Sequence, residues 1–223
     1  MSASPDPTSE QAPRRIRRKT GPYAAADGRR EAILDTAIAH FAQWGYFNSS
    51  MPKIAADVGM SRAGLLHHFD SKESLLAAVL QLREQRAADE FFLPLESAAD
   101  AIALFRGIVA QTQRNETEPG LTQMFSVLAA EASNPEHPAH DYFRDRYINI
   151  TRFLATTLQL AIEAGTIKAD VDAEHTAQEI LAVSDGFAVQ WALAGPSYGL
   201  TQHQRVYLDR LARAITTTGE GLQ

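Results

Sequence analysis

The placement of helix-breaking residues constrains the fold of this chain more than any other feature. Long stretches with apolar residues three and four apart, typical of amphipathic helices, are separated by short breaks that carry proline or glycine. The breaks lie at Pro94, at 118–120, at 134–138, at Gly165 and at 195–196. They predict helices over 71–91, 96–113, 119–133, 139–164, 173–194 and 201–217. No stretch alternates apolar and polar residues as a half-buried strand does, so we expect an all-α fold.

The segments 27–45 and 71–91 predict the first and the fourth of four helices near the N-terminal end. The first carries one apolar stripe and ends at Gly45. Ser71 is the expected N-cap of the fourth. The apolar residues of the two stripes are Ile33, Leu34, Ala37, Ile38, Phe41 and Ala42, and then Leu75, Leu76, Val79 and Leu80.

Between them, two short helices separated by a glycine form the pattern of a helix-turn-helix unit. Ser50 and Ser61 are the expected N-caps of these helices. Ala55 is small where the helices must approach each other, and Gly59 supplies the positive φ of the turn. Leu65 is apolar on the inner face of the second helix. Together with the first helix, this spacing predicts a three-helix DNA-binding unit followed by a larger helical body.

Charge is distributed unevenly along the chain. Residues 1–72 carry ten Lys and Arg against seven Asp and Glu, whereas 73–223 carry eleven against twenty. This asymmetry predicts a small polyanion-binding end on an acidic body. Residues 1–26 hold four of the ten prolines, so we expect a disordered tail. Its basic run, 14–19, is either a solvated tail or an arm that contacts phosphates or the minor groove.

The N-terminal third of the chain resembles the DNA-binding domain of the TetR family of transcriptional regulators. The resemblance rests on the first helix with its Gly-Tyr end and on the patterns IAxxxG, LxHHF and SKExLL, and it covers residues 28–80. It implies a DNA-binding domain at 27–72 and a helical body at 73–223 that binds a ligand and dimerises. The implied partners are a double-stranded DNA operator, a second copy of the chain and an unidentified small-molecule effector.

The candidate DNA contacts lie around the second and third helices and at the start of the fourth. Arg62, in the first turn of the recognition helix, is the expected base contact, with a phosphate contact as the alternative. Lys72 is assigned to a phosphate by the resemblance and by its place in a first helical turn. The family usually has tyrosine where this chain has Leu66, so the operator sequence does not carry over. The full set is Ser49, Ser50, Lys53, Ser61, Arg62, Ala63, Gly64, Leu66, His67, His68 and Lys72.

The resemblance also implies that the last two long helices, 173–194 and 201–217, form a four-helix interface with a second copy. Their apolar residues are the candidates for this interface, and packing within one subunit is the alternative for many of them. The candidates are Val183, Phe187, Val189, Leu193, Tyr207, Leu208 and Leu211.

A mostly apolar ligand pocket is implied around the helix 139–164, which is apolar on more than one side and is therefore expected in the middle of the body. Asp185 is the most unusual candidate because it is a charge within an apolar run. It is expected to anchor a cationic or hydroxylated ligand, or to pair with an arginine such as Arg152. The candidates, each with core packing as the alternative, are Phe105, Leu121, Met124, Phe125, Leu128, Tyr147, Asp185, Gln190 and Trp191.

Several classes of function find no support in the sequence. The chain has no cysteine, which excludes disulfides and thiolate chemistry, and GxSxG, HExxH and phosphate-loop motifs are absent. The segment with Glu136, His137 and His140 is interpreted as solvated surface rather than a metal site, so we expect no metal and no cofactor. No apolar run approaches the length of a bilayer span, so we expect a cytoplasmic protein with no membrane partner.

These observations predict a ligand-responsive transcriptional regulator rather than an enzyme. The predicted mode of action is that of a repressor, which binds a palindromic operator as a homodimer and is released by a small molecule. The alternative is a helical small-molecule- or partner-binding protein with vestigial DNA binding.

Overall fold

The computed structural model describes residues 22–91 and 100–222, and within these ranges the chain forms nine α-helices and one short 3₁₀ helix. In the described part there is no strand, only an isolated bridge between Ile167 and Thr216. The all-α prediction is confirmed. The helices are α1 (Pro22–Asn48), α2 (Met51–Val58), α3 (Arg62–His68), α4 (Lys72–Phe91), α5 (Ala101–Thr117), α6 (Pro119–Glu131), α7 (His140–Glu163), α8 (Ala173–Ala194) and α9 (Leu200–Ile215), with the 3₁₀ helix at Pro196–Tyr198.

Local chemistry at both ends of α5 explains why its bounds differ from the prediction. Helix α5 begins at Ala101 rather than at residue 96, because the Asp100 carboxylate accepts a hydrogen bond from the Ala103 N–H at 2.8 Å and caps the helix. At its other end α5 continues to Thr117, and Pro119 then occupies the first turn of α6, where its missing N–H costs nothing. The predicted arm at 14–19 and most of the predicted tail lie outside the described residues.

Two apolar clusters form the interior. The first joins α1, α2, α3 and α4 with α6 and includes Phe41, Leu65, Leu75 and Leu128, all fully buried. The second joins α5, α7, α8 and α9. Helix α1 packs along α6, so the N-terminal helices share their core with one helix of the body. The boundary predicted at residue 72 therefore divides a continuous core, since α4 contributes to the first cluster.

Helix α7 has only in part the environment that the sequence predicted for it. It buries Phe143, Leu154 and Leu158, but Ile148 is half exposed and Arg152 lies on the surface. The expectation that α7 lies in the middle of the body therefore holds for one face only, because its polar residues gather on the other face, which remains in solvent.

Candidate DNA-binding surface and ligand pocket

The turn between α2 and α3 has the geometry that the glycine predicted. Gly59 has φ 78° and ψ 33°, a left-handed conformation that favours glycine. The next N–H, that of Met60, donates to the Ala55 carbonyl at 2.9 Å and closes the end of α2. The Ser61 hydroxyl accepts from the Gly64 N–H at 3.0 Å, so the predicted cap of α3 is confirmed. With Leu65 fully buried, the spacing fixes which face of α3 points outward.

The outward face of α3 holds most of the candidate DNA contacts. Arg62, Ala63 and His67 are exposed, and no hydrogen bond or ion pair within the described residues engages Arg62. Lys53 on α2 is exposed as well. Leu66 is half-buried and packs against the first cluster, so it presents less surface than its neighbours. The remaining candidates on this surface are Ser61, which is exposed, and Ser50, Gly64 and His68, which are half-buried.

Two serines at the start of α2 differ from the prediction. Ser50 occupies the N-cap position, but its side chain makes no capping hydrogen bond, so the predicted cap is wrong. Its hydroxyl remains available to an external acceptor. The Ser49 side chain is buried and donates to the Gly45 and His40 carbonyls at 2.7 and 3.1 Å. A phosphate contact through the Ser49 hydroxyl would break these bonds, so the structure does not favour it.

Lys72 is half-buried, and its ammonium group is bound by the end of α1. Its Nζ donates to the Tyr46, Phe47 and Ser49 carbonyls at 2.9, 3.4 and 3.0 Å, and it lies 4.1 Å from the centre of the Tyr46 ring. Its positive charge therefore stabilises the C-terminal end of α1, where carbonyl groups lack partners within the helix. Burial lowers its pKa, against the raising effect of Glu73. The Tyr46 hydroxyl donates to Glu73 at 2.6 Å, and this bond lowers the pKa of the Glu73 carboxyl.

A cluster of Gly45, Tyr46, Glu131 and His137, which we call the α1–α6 junction, joins the N-terminal helices to the body. The Glu131 carboxylate, at the last residue of α6, accepts from the Tyr46 N–H at 2.7 Å. Gly45 has φ 70° and ψ −177° and lies against the same carboxylate. The junction therefore links the end of α6 directly to the end of α1.

His137 completes the junction and corrects the prediction of a solvated loop. Its side chain is fully buried, lies edge-on to the Tyr46 ring and places Nε2 3.6 Å from Glu131. Nδ1 accepts from the Ala139 N–H at 3.1 Å, which requires the neutral ring. Burial accordingly lowers the His137 pKa. The polar composition of 134–138 predicted exposure, whereas the aromatic end of α1 covers this histidine.

The body contains a cavity of about 360 Å³ lined by residues from six helices, α4 to α9. Of the predicted pocket residues, Phe125, Tyr147 and Asp185 line it. The other six do not: Phe105, Leu121, Met124, Leu128 and Trp191 are buried within or beside the two apolar clusters, and Gln190 is exposed and donates to the Gly186 carbonyl. Apolar spacing marked these residues as inward-facing, but it could not distinguish a packed core from a cavity wall.

Asp185 accepts from the Tyr147 hydroxyl at 2.6 Å, whereas Arg152 lies on the surface beside Asn149. The predicted pairing of Asp185 with an arginine such as Arg152 is therefore wrong for that residue. Burial raises the Asp185 pKa, and the bond from Tyr147 opposes that rise. The same burial and hydrogen bond raise the pKa of the Tyr147 hydroxyl.

Two arginines on the cavity wall were missed by the sequence reasoning. Arg146 donates to Glu84 at 3.0 Å, and the Arg83 guanidinium stacks over the Phe125 ring at 3.6 Å from its centre. Burial, and next the like charge of Arg146, lower the Arg83 pKa to about 10, so the side chain stays charged at neutral pH. A single arginine in an amphipathic helix usually lies in solvent, which is why the pattern gave no signal.

The helices predicted to form a dimer interface expose part of their apolar surface. On α8, Val189 and Leu193 are 45% and 84% exposed, and on α9 Val206 is 37% exposed. Leu208 is fully buried in the second cluster, so it belongs to the subunit core and cannot contact a partner. The remaining candidates are half-buried: Val183, Phe187, Tyr207 and Leu211.

Two further kinds of site were sought in the described residues. No group of three or more His, Asp or Glu side chains is placed to hold a metal ion in residues 22–91 and 100–222. In the same ranges, each helix is too short or too polar to cross a lipid bilayer.

Comparison with known proteins matches both parts of the chain. Residues 33–79 match the family described as bacterial regulatory proteins, tetR family, and residues 101–216 match the family described as the C-terminal part of BetI-type transcriptional repressors. The second match covers more than half of the chain.

Two relatives and one solved structure illustrate the similarity. The transcriptional regulator UidR of Escherichia coli is 27% identical over 157 residues, 70% of this chain and 78% of its own. The transcriptional repressor AcnR of Corynebacterium diphtheriae is 28% identical over 178 residues, 77% of this chain and 85% of its own. A transcriptional regulator from Saccharomonospora viridis, solved in complex with choline, superposes with a TM-score of 0.68 at 23% identity, over 85% of this chain and 98% of its own.

Proposed function

The chain belongs to the TetR family of bacterial transcriptional regulators, and from this premise we propose that two copies bind one palindromic operator and leave it when a small molecule enters the body. The family makes it a ligand-responsive DNA-binding regulator rather than a member of an enzyme class. Repression is the proposed mode of action, supported by the repressor description of the match over 101–216. The proposed place of action is the cytoplasm, where the DNA is.

The observation that carries the DNA-binding proposal is the exposed face of α3. Arg62 lies in the first turn of α3 with no described partner, and the small Ala63 beside it lets the helix approach the base edges. An arginine at this place is suited to a guanine in the major groove. Lys53, Ser50 and His67 flank it as the proposed phosphate contacts, together with Ser61, Gly64 and His68 at the margin of the surface. The proposed DNA-binding unit is 27–72, supported by the first half of α4, and the body is the remainder to 223.

Helix α6 is the proposed route from ligand to DNA. Phe125, Ser126 and Ala130 of α6 line the cavity, and the next residue, Glu131, accepts the hydrogen bond from Tyr46 at the end of α1. A ligand that shifts α6 therefore moves α1, which packs against α2, and α2 in turn packs against α3. The ligand must bind the released arrangement more tightly than the DNA-competent one, since only differential affinity shifts such an equilibrium.

The proposed dimer uses the exposed faces of α8 and α9. A single helix-turn-helix unit reads a few base pairs, and regulators of this kind place two units about 34–36 Å apart on successive half-sites. Leu193 and Val189 supply apolar surface for this contact. Gly186 lies on the same helix, three residues before Val189. A Cβ added at Gly186 would meet no atom within 4 Å outside its own turn of α8. This open space can accept a helix from a second copy.

The test is a titration of the full-length protein with DNA from upstream of its own coding region at two salt concentrations. We expect saturable binding to one short palindrome, with two protomers per site and a steep fall in affinity as the salt concentration rises. Weak binding to all sequences that disappears at physiological salt would instead favour a ligand- or partner-binding protein with vestigial DNA contacts.

A further inference from the structure

Two buried donors on the cavity wall have no hydrogen-bond partner in the described part of the chain. They are Nη1 of Arg83 on α4 and Nε2 of Gln204 on α9, and both atoms are buried. Gln204 is only 1% exposed. Buried donors are almost always satisfied in native proteins, and each one left without an acceptor carries a free-energy cost. Because both of these atoms are donors, a ligand that satisfies them must supply hydrogen-bond acceptors.

The ion pairs around the cavity also favour a ligand that carries hydrogen-bond acceptors. Arg146 has the Glu84 carboxylate at 3.0 Å, and the Tyr142 hydroxyl donates to the same carboxylate at 2.7 Å. Arg83 lies farther from that carboxylate, at 3.6 Å, outside hydrogen-bond distance. The carboxylate on the wall itself, Asp185, already accepts from Tyr147. Arg83 is therefore the arginine on this wall that pairs with a carboxylate only at ion-pair distance, through Nη1, and makes no hydrogen bond to it.

The Phe125 ring fixes the position of the Arg83 guanidinium at the cavity wall. The guanidinium is planar, and its central carbon lies over the Phe125 ring, 3.6 Å from the ring centre. The N–H groups of a guanidinium point outward in that plane, in the arrangement that matches the two oxygens of a carboxylate. Apolar side chains, including Ile108, Leu154 and Ile180, make up much of the remaining wall.

Taking the cavity as the effector site proposed above, we infer that its ligand is a small organic monocarboxylate. The carboxylate accepts hydrogen bonds from Arg83, a second acceptor satisfies Gln204, and an apolar body fills the remaining space. A quaternary ammonium ion such as choline does not suit this cavity, because it has no acceptor comparable to a carboxylate and would lie beside two arginines.

The experiment measures thermal unfolding of the free full-length protein with a matched panel of compounds. The carboxylates run from acetate to octanoate and from benzoate to 4-phenylbutyrate, each paired with its primary amide and its amine, and choline is added. We expect at least one carboxylate to raise the Tm at millimolar concentration while its amide and amine raise it less. The inference is overturned if no carboxylate exceeds its own amide, or if the amines or choline give the largest shift.

Three variants identify the residues responsible. Arg83→Met should weaken binding of the active carboxylate by roughly 10- to 100-fold, while the unliganded protein keeps or raises its Tm because a buried charge has been removed. Gln204→Leu should reduce the preference for ligands with a second acceptor. Arg152→Met, at an exposed position of α7, is the matched control and should bind as the wild type does. Equal carboxylate binding by Arg83→Met and Arg152→Met would overturn the assignment.

These measurements separate the ligand from the proposed DNA-binding function. Carboxylate binding is followed without DNA, and operator binding is followed without ligand. A protein that binds its operator but shows no carboxylate preference refutes only the ligand class. A protein that prefers carboxylates but ignores DNA refutes only the regulator.

Discussion

Substituting Gly45 by alanine should destabilise the protein at the α1–α6 junction. The backbone there has φ 70° and ψ −177°, a region that residues with a side chain enter at a cost of about 1–3 kcal/mol. The added Cβ would also overlap the Glu131 carboxylate, whose Cδ would lie 2.7 Å away. Glu131 must then move, and the Tyr46 N–H loses its acceptor, which costs about 1–3 kcal/mol more.

These contributions sum to about 2–6 kcal/mol, and each kcal/mol shifts the Tm of a domain of this size by roughly 2–4 °C. The Tm of Gly45→Ala, measured by calorimetry or circular dichroism, should therefore fall by at least about 4 °C. Gly28→Ala is the matched control, because Gly28 lies in the same helix and an added Cβ meets nothing within 4 Å. It should leave the Tm unchanged or raise it slightly.

A double variant separates the two causes. Glu131→Ala removes both the overlap and the hydrogen bond, so its cost and that of Gly45→Ala should add to more than the cost of the double variant. Equal stability of Gly45→Ala and Gly28→Ala would refute the reasoning. It would mean that the junction relaxes freely and does not link α6 rigidly to α1.

Four further outcomes are expected. Arg62→Ala should relax the preference at one base position per half-site, measured by binding to a set of singly substituted operators, whereas a uniform loss would make Arg62 a phosphate contact. Lys72→Met should lower the Tm, because the Lys72 Nζ donates hydrogen bonds to three carbonyls at the end of α1. It should leave the salt dependence of DNA binding unchanged. If the slope of log affinity against log salt concentration became shallower by about one unit, Nζ would be a phosphate contact. The pKa of His137 is lower in the folded protein than in the unfolded chain, so the unfolded chain binds the proton more readily and the protein should lose stability as the pH drops below the ordinary histidine pKa. In a series of Tm measurements against pH, His137→Gln should reduce this loss. An unchanged loss would assign it to other groups. Gly186→Arg should give a folded monomer by light scattering, since the site is open within one chain, and a dimer of wild-type mass would show that the interface lies elsewhere.

The local features of the DNA-binding unit could be predicted from the sequence because they depend on neighbours along the chain. The Ser61 cap joins residues three positions apart, and the left-handed turn at Gly59 needs only the right residue type. The failure at Ser50 has the same origin. Its position as N-cap followed from the residue type, which does not determine whether its hydroxyl turns toward the helix.

The ligand cavity could be predicted only in part, because six helices meet there and no local pattern records which residues leave a space between them. Phe125 and Phe105 have the same spacing signal, yet one lines the cavity and the other is fully packed. Arg83 and Gln204 are polar residues whose burial depends on distant helices. His137 was predicted wrongly for the same reason, since the rings that cover it lie some 90 residues away.

The shared core of α1, α4 and α6 has a consequence for engineering. A hybrid regulator made by joining residues 1–72 to the body of another protein would set Phe41 and Ile38 against a foreign sixth helix, and the unfilled or crowded contacts would weaken both halves. Exchanging α6 together with the N-terminal segment would keep that packing but would carry part of the proposed effector cavity with it. In the proposed mechanism, operator choice and effector choice are thus coupled through α6, and we expect that transplanting one alters the other.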